Sequence, residues 1–181
     1  MRSTTPSLPS SGHAPAATVA PVRGGLSPRV RKAVLTVHIV ASVGLLGDAA
    51  GFLAVAIRAA TTADAAFADA CYRVLQMFGI VFGIPLSVAT LATGIALGVG
   101  TKWGVFRYPW VTAKLALVVS VMAVGALVLG PSVQAMLDGT ADAEAAIVAA
   151  AAYDVAALCL ATGLSVFKPG RRMSRHRTAI S

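Results

Sequence analysis

Four ionisable residues lie inside long apolar stretches of this chain: His38, Asp48, Lys114 and Asp154. Ionisable groups are costly in a hydrocarbon environment, and they often mark ion, proton or cofactor sites there. An imidazole nitrogen can ligate haem iron or carry a proton. A carboxyl group can bind a proton or a cation. We therefore treat these four side chains as the candidate functional residues.

The positions of the four residues along their stretches predict two polar layers. At about 1.5 Å per helical residue, His38 and Lys114 lie roughly 8 Å from the nearer ends of their stretches. Asp48 and Asp154 lie roughly 20 Å from the same side on that scale. The sequence leaves the rotation of the helices open, so it does not say whether the members of either layer meet.

The stretches that carry these residues are typical of membrane-spanning helices. The chain is 57% hydrophobic and only 12% charged, whereas soluble domains are roughly 25% charged. Four apolar stretches approach the roughly 20 residues that cross a bilayer, and backbone in lipid must be helical to satisfy its own hydrogen bonds. We predict an all-α, four-helix transmembrane bundle with helices at Ala33–Ile57, Tyr72–Val99, Trp110–Leu129 and Ala145–Phe167.

The segments outside the apolar stretches predict the domain organisation and the topology. Residues 1–28 are rich in Pro, Ser, Ala and Gly and lack the apolar core of a signal peptide, which is typical of a disordered tail. Residues 29–167 form the transmembrane domain, and residues 168–181 form a basic tail. Thirteen of the fifteen Lys and Arg residues fall on one side, so both termini are expected in the cytoplasm. The net charge of +8 therefore indicates membrane topology and not nucleic-acid binding.

The loop GTKWGVFRYPWVTAK, residues 100–114, concentrates aromatic and basic side chains. Trp103 and Trp110 suit the headgroup zone of a bilayer, and Arg107 can extend to water beside them. We interpret this motif as an interfacial belt, with a more specific role of the loop as the alternative. Lys114 is expected to extend towards the cytoplasm, or else to bind a headgroup phosphate together with Arg107.

Small residues recur at four-residue spacing on the first two helices. Such stripes allow helix backbones to approach closely in a membrane. We expect packing within the bundle, with a homo-oligomer or a membrane-complex partner as the alternative. The stripes comprise Gly47, Gly51, Gly79, Gly83, Gly94 and Gly98.

Each intramembrane polar residue also has a structural interpretation. His38 is either a cofactor ligand or a neutral imidazole hydrogen-bonded between helices. The other histidines lie in the tails, so a haem with two histidine ligands from one chain is excluded, and a His/Met pair needs Met77 or Met122. Asp48 and Asp154 either form a proton or cation site, or are neutral, or pair with outer groups, namely Arg58, Arg73 or Gln76.

Two segments together carry a family resemblance: TKWGVFRYPWVTAK in the loop and RKAVLTVHIVASVGLLGDAAGFLAVA in the first helix. They resemble the DUF2269-like family of small bacterial integral membrane proteins over about residues 29–167. The chain departs from the family pattern at Leu45, where Trp is frequent, and at Lys102, where Pro is frequent. The matching residues are His38, Gly44, Gly47, Thr101, Trp103, Gly104, Phe106, Arg107, Trp110 and Lys114.

The resemblance implies a four-helix membrane protein without an established activity. The layout is more distantly similar to copper-resistance CopD-type proteins and membrane protoporphyrinogen-oxidase-type proteins, in which a His on the first helix is associated with haem or metal. This likeness implies His38 as a ligand, with haem b as the cofactor, but likeness of fold does not transfer function.

These observations predict a small multi-pass protein of the bacterial inner membrane, of unknown biochemical activity. We expect a structural or accessory protein and not an enzyme, with the lipid bilayer as its surroundings and no bound cofactor or metal. One alternative is a haem- or metal-binding redox protein that uses His38. The other is a small proton-linked transporter that uses Asp48 and Asp154.

Overall fold

The computed structural model describes residues 27–99, 109–140 and 142–167. These residues form six α-helices and two π-helical turns, and they include no β-strand. The predicted all-α class with four membrane-spanning helices is confirmed, since four helices are long and apolar enough to cross a bilayer. The helices are α1 Pro28–Thr61, α2 Ala65–Phe78, α3 Ile84–Val99, α4 Pro109–Val124, α5 Gly130–Leu137 and α6 Glu144–Phe167.

The helices combine into four spans. The first span is α1, and the fourth is α6. The second span joins α2 to α3 through a π turn at Gly79–Gly83. The third joins α4 to α5 through a π turn at Gly125–Leu129. Residues 1–26, 100–108 and 168–181 lie outside the described residues, and with them the predicted tails and most of the aromatic loop.

The first two spans begin earlier than the predicted helices because their caps lie outside the apolar stretches. The hydroxyl of Ser27 accepts a hydrogen bond from the backbone N–H of Val30 at 3.4 Å, and Pro28 occupies the first helical turn, where proline is well tolerated. The carboxylate of Asp64 accepts from the N–H groups of Ala66 and Phe67 at 2.9 and 3.2 Å. The apolar stretches alone therefore do not predict where the first two spans begin.

The third span is longer than predicted. The predicted helix ends at Leu129, but the span continues to Leu137. Gly139, with a φ of 61°, then turns the chain, since glycine adopts the left-handed region without steric cost. The connection between the third and fourth spans is therefore only a few residues long.

Both π turns precede a proline. The first π turn, Gly79–Gly83, ends two residues before Pro85, and the second, Gly125–Leu129, ends two residues before Pro131. Proline has no N–H, and its ring clashes with the carbonyl four residues earlier. A local widening of the helix relieves this conflict, and such π bulges frequently occur at functional sites.

The spans pack around two buried apolar clusters. The first span contacts the second and the fourth, and the third contacts the fourth. One cluster contains Phe52, Leu75 and Ile147, and the other contains Leu45 and Leu158. We call the end of the bundle that carries Asp64, Asp69, Asp138 and Glu144 the acidic end, and the opposite end, where α1 begins with Arg29, Arg31 and Lys32, the basic end.

The second and third spans meet mainly at their two ends. Helix α2 packs against α5, and α3 packs against α4. Between these contacts, the first π turn packs on the first span and the second π turn packs on the fourth. The middle of the bundle is therefore open between the second and third spans.

Candidate functional site

A cavity of about 590 Å³ occupies the middle of the bundle, between the two apolar clusters. All four spans contribute to it. Its polar lining consists of Asp48 from the first span, Gln76 and Ser87 from the second, and Asp154 from the fourth, while the third span contributes Met122 and apolar side chains. The volume lies within the range of roughly 300–1,000 Å³ that is typical of small-molecule sites.

The cavity brings together the two carboxyl groups of the predicted outer layer. Asp154 is only 6% exposed and Asp48 is half-buried. The Oδ1 atom of each residue is buried and has no hydrogen-bond partner. Buried polar atoms almost always have a partner in native proteins, so a pair of them in one cavity calls for a functional explanation.

The backbone of the second span approaches Asp48 at Gly83. A methyl group at this glycine would lie 3.4 Å from Oδ2 of Asp48. The absence of a side chain thus leaves room for the carboxyl group beside the first π turn. The Gly83 position predicted for helix packing is therefore also part of the wall around Asp48.

The groups predicted to pair with the two carboxyls are engaged elsewhere. Arg73 forms an ion pair with Asp69 at 3.0 Å, and the guanidinium of Arg58 lies 5.4 Å from the ring centre of Phe67. The amide nitrogen of Gln76 donates to Oε1 of Gln134 at 2.9 Å. Across residues 27–99, 109–140 and 142–167, no ion pair or hydrogen bond joins a side chain to the carboxyl group of Asp48 or Asp154.

Gln76 connects the cavity to the acidic end of the bundle through hydrogen bonds. Gln134, its hydrogen-bond partner, donates to both carboxylate oxygens of Asp138 at 3.0 and 3.1 Å. Nearby, the hydroxyl of Tyr72 donates to Glu144 at 3.4 Å. Clustered carboxylates create a negative potential that raises the local concentration of cations, so this end favours the approach of positively charged species.

The cavity also opens sideways between the second and third spans. Ile80, Ile84 and Val88 line it at four-residue spacing and are 61%, 61% and 51% exposed. Across the gap, Ala126 and Gly130 also line the cavity and are exposed. This rim is apolar and exposed in the single chain.

His38 and Lys114 form a separate layer towards the basic end. Nδ1 of His38 lies 2.9 Å from the hydroxyl of Thr93. Because that hydroxyl donates to the carbonyl of Ala89 at 2.6 Å, it accepts from the Nδ1–H of the imidazole, and this hydrogen bond sets the tautomer. Lys114, on the third span, is half-buried.

Neither member of this basic layer lines the cavity. The ring of His38 packs against Gly94, where a methyl group would lie 3.3 Å from Cε1. Of the two methionines considered as partners for a haem, Met122 lines the cavity and Met77 is 48% exposed. The structure therefore places His38 in a contact between the first and second spans.

The predicted glycine stripe residues occupy different environments. A methyl group at Gly51 would lie 3.1 Å from the ring of Phe78, whereas Gly47 and Gly79 have nothing within 4 Å of that position. Gly79 lines the cavity, and Gly98 is half-buried near the end of α3. Trp110 lies half-buried in α4, and Trp103 and Arg107 lie outside the described residues.

Sequence reasoning missed the cavity and the π turns that border it. The signal was a repeated pattern, since Gly79 to Pro85 and Gly125 to Pro131 share the spacing Gly-x5-Pro. Ser87, which continues the small-residue stripe after Gly83 in the sequence, is buried and lines the cavity, a position that the stripe alone did not predict. Among the residues that the structure describes, no group of three or more His, Cys, Asp or Glu side chains is arranged to hold a metal ion.

Comparison with known proteins identifies a family. A family model described as "Predicted integral membrane protein (DUF2269)" matches residues 32–168. No curated protein and no solved structure matches the chain. The distant likeness to CopD-type proteins therefore stays a prediction from the sequence.

Proposed function

Since the chain belongs to the DUF2269 family of predicted integral membrane proteins, we propose that it is a small proton-linked carrier in which Asp48 and Asp154 are the binding groups. One observation carries the proposal: the two carboxyl groups line one cavity, and each has a buried oxygen without a hydrogen-bond partner. A purely structural or accessory role was the first expectation from the sequence. It does not explain why these two buried oxygens lack hydrogen-bond partners.

The chemistry of the carrier follows from the cost of burying charge. An uncompensated carboxylate is strongly disfavoured in apolar surroundings. Each carboxyl is therefore expected either to hold a proton or to contact a bound cation. Exchange of the proton for the cation keeps the cavity close to neutral. This exchange couples proton movement to cation movement.

The groups that face the two carboxyls are few. Asp48 comes from the first span, Gln76 and Ser87 from the second, and Asp154 from the fourth, while the third span contributes no titratable side chain to the cavity. Proton binding within the cavity is therefore assigned to Asp48 and Asp154 alone. His38 and Lys114, which lie outside it, are not part of the proposed site.

We propose a bacterial inner-membrane location with both termini in the cytoplasm. The support is the distribution of Lys and Arg along the sequence, since thirteen of fifteen precede the first predicted helix, follow the fourth, or lie in or next to the connection between the second and third, and such residues favour the cytoplasmic side. The test uses a chain without its native cysteines, in which Thr140→Cys or Ser181→Cys is the only thiol. A membrane-impermeant maleimide applied to intact cells is expected to label Thr140→Cys and not Ser181→Cys, and the reverse pattern would overturn the orientation.

Proton flux in vesicles tests the proposed function. The purified protein is reconstituted into liposomes that contain a pH-sensitive dye, and an imposed pH gradient is followed with and without a cationic solute. We expect faster dissipation than in empty liposomes, and loss of the excess rate in Asp48→Asn and Asp154→Asn.

The matched control for that flux measurement is Asp142→Asn, which makes the same change of carboxyl to amide at an exposed position outside the cavity. It should retain the wild-type rate. Equal rates from empty liposomes and from liposomes with the wild-type protein would remove the carrier proposal and leave the accessory role. Equal rates in wild type and both cavity variants would show that any flux bypasses the two carboxyls.

A further inference from the structure

We infer that the ligand of the cavity is an organic ammonium ion with an apolar body, and that it enters from the bilayer between the second and third spans. This inference names the substrate class of the site and rests on the proposed function for the statement that the ligand is transported. Binding itself can be tested without transport.

The charge of the ligand follows from the two carboxyl groups. Asp154 is more than nine-tenths buried, and its Oδ1 and that of Asp48 lack hydrogen-bond donors. A protonated amine supplies both missing features, namely positive charge and N–H groups that donate to carboxylate oxygens. Hydrogen bonds to charged groups are the stronger class, so these two atoms select an ammonium group over a neutral head.

The apolar body follows from the size and the lining of the cavity. A volume of about 590 Å³ is far more than a proton or a metal ion needs. Calcium and magnesium are held by roughly six or more oxygen atoms, whereas most of this lining is hydrocarbon, including Leu45, Phe52, Leu75 and Val121. A hydrocarbon or aromatic body fills this space and adds hydrophobic stabilisation.

The route follows from the gap beside the π turns. The second and third spans contact each other mainly at their ends, and the rim between those contacts is apolar and exposed, with Ile80, Ile84 and Ala126 among its residues. Amphiphilic amines partition into bilayers. A ligand of this class therefore reaches the carboxyls from the side, without crossing the hydrogen-bonded layer at Gln76 and Gln134.

A set of three compounds with one aromatic body isolates the contribution of charge. Tritiated naphthylmethylamine is bound at equilibrium to the full-length protein in mild detergent, and unlabelled naphthylmethylamine, naphthylmethanol and naphthoate are used as competitors. We expect the amine to compete at least about tenfold better than the alcohol, which corresponds to one hydrogen bond to a charged group. Naphthoate should compete least, because it brings a further carboxylate into a cavity that already contains two carboxyl groups.

Two pairs of variants locate the binding. Asp154→Asn should weaken amine binding by about tenfold or more, whereas Asp142→Asn should leave it unchanged. Ala126→Phe should narrow the lateral gap and slow the association of the labelled amine, which is followed over time for this pair. Its matched control is Ala123→Phe on the same span, since Ala123 is also exposed but does not line the cavity.

Several outcomes would overturn the inference. Equal competition by the amine and the alcohol would show that charge does not select the ligand. Equal association rates of the amine in Ala126→Phe and Ala123→Phe would show that the gap is not the route. A dimer in light scattering that dissociates only in Ala126→Phe would show that a second copy of the chain covers the gap.

The two proposals fail in different ways. Charge-selective amine binding without proton flux that depends on the carboxyls would retain the ligand class and remove the carrier. Proton flux that requires Asp48 and Asp154, without amine binding, would retain the carrier and remove the ligand class.

Discussion

Asp48 on the first span and Asp154 on the fourth face the same cavity, and the Oδ1 atom of each is buried without a hydrogen-bond partner. The neighbouring arginines are engaged at the acidic end, with Asp69 and with the ring of Phe67. The bundle thus keeps two carboxyls apart from the cations that could neutralise them. This relationship is the basis of the functional account and leads to the predictions below.

Removal of the Asp154 carboxyl should stabilise the protein. A buried polar group without a partner costs roughly 1–3 kcal/mol, and Asp154→Leu replaces it with a hydrocarbon side chain next to an existing cavity. We expect a higher midpoint of thermal unfolding in detergent, together with loss of amine binding. Asp142→Leu, at an exposed position, should change neither quantity. A lower midpoint for Asp154→Leu would mean that the carboxyl has a structural role.

Substitution of alanine for Gly47 and for Gly51 should have different effects on the free energy of unfolding. In Gly51→Ala the new methyl group would lie 3.1 Å from the ring of Phe78, and Phe78 is held against Phe82 in an edge-to-face contact with ring centres 5.9 Å apart. Such overpacking typically costs about 1–3 kcal/mol. We expect a lower free energy of unfolding in an SDS titration.

Gly47→Ala is the control for that comparison, because its methyl group meets nothing within 4 Å. It should be neutral or slightly stabilising, since alanine favours helix over glycine. Equal destabilisation by the two substitutions would show that Gly47 packs against a partner in the assembled protein, as a homo-oligomer or membrane complex would require.

The fold was more predictable from the sequence than the site. Hydropathy and the position of Lys and Arg mark the spans, because lipid restricts the backbone to helices. The helix ends at Ser27, Asp64 and Leu137 were harder to predict from the sequence. Capping residues and a surface turn determine these ends, and they lie outside the apolar stretches. The common depth of Asp48 and Asp154 was also predictable from residue spacing.

The placement of the two carboxyls in one cavity was not predictable, because it depends on how each span rotates about its axis. That rotation is set by contacts such as Gly83 against Asp48 and Gly94 against His38, which no single span reveals. The π turns shift the lining residues further, since each extra residue in a turn changes the face that the following helix presents. A proline predicts a kink but does not give the direction in which the helix then turns.

The hydrogen bond between His38 and Thr93 should stabilise the packing of the first span on the second. Interhelical hydrogen bonds in membranes average about 0.6 kcal/mol, and we expect Thr93→Val to reduce the free energy of unfolding by that order. A double-mutant cycle with His38→Ala should give a similar coupling energy. Thr36→Val is the control, because its hydroxyl is exposed and bonds only to the carbonyl of Lys32 in its own helix.

The same His38→Ala variant tests the alternative of a haem protein. Wild-type protein from haem-replete cells is expected to lack a Soret band, because His38 is a packing residue in this account. A Soret band in the wild type that disappears in His38→Ala would contradict the packing role and establish the redox alternative.

The most direct test of the account is the number of protons released when the amine binds. Calorimetric titration of naphthylmethylamine into the wild-type protein, in buffers of different ionisation enthalpy and across the acidic to neutral range, gives this number. We predict that binding releases protons and weakens as the pH falls, since protons and the ammonium compete for Asp48 and Asp154, and that the double variant Asp48→Asn and Asp154→Asn releases none. Binding without proton release at every pH, or the same release from the double variant, would contradict the claim that these two carboxyls exchange a proton for a cation.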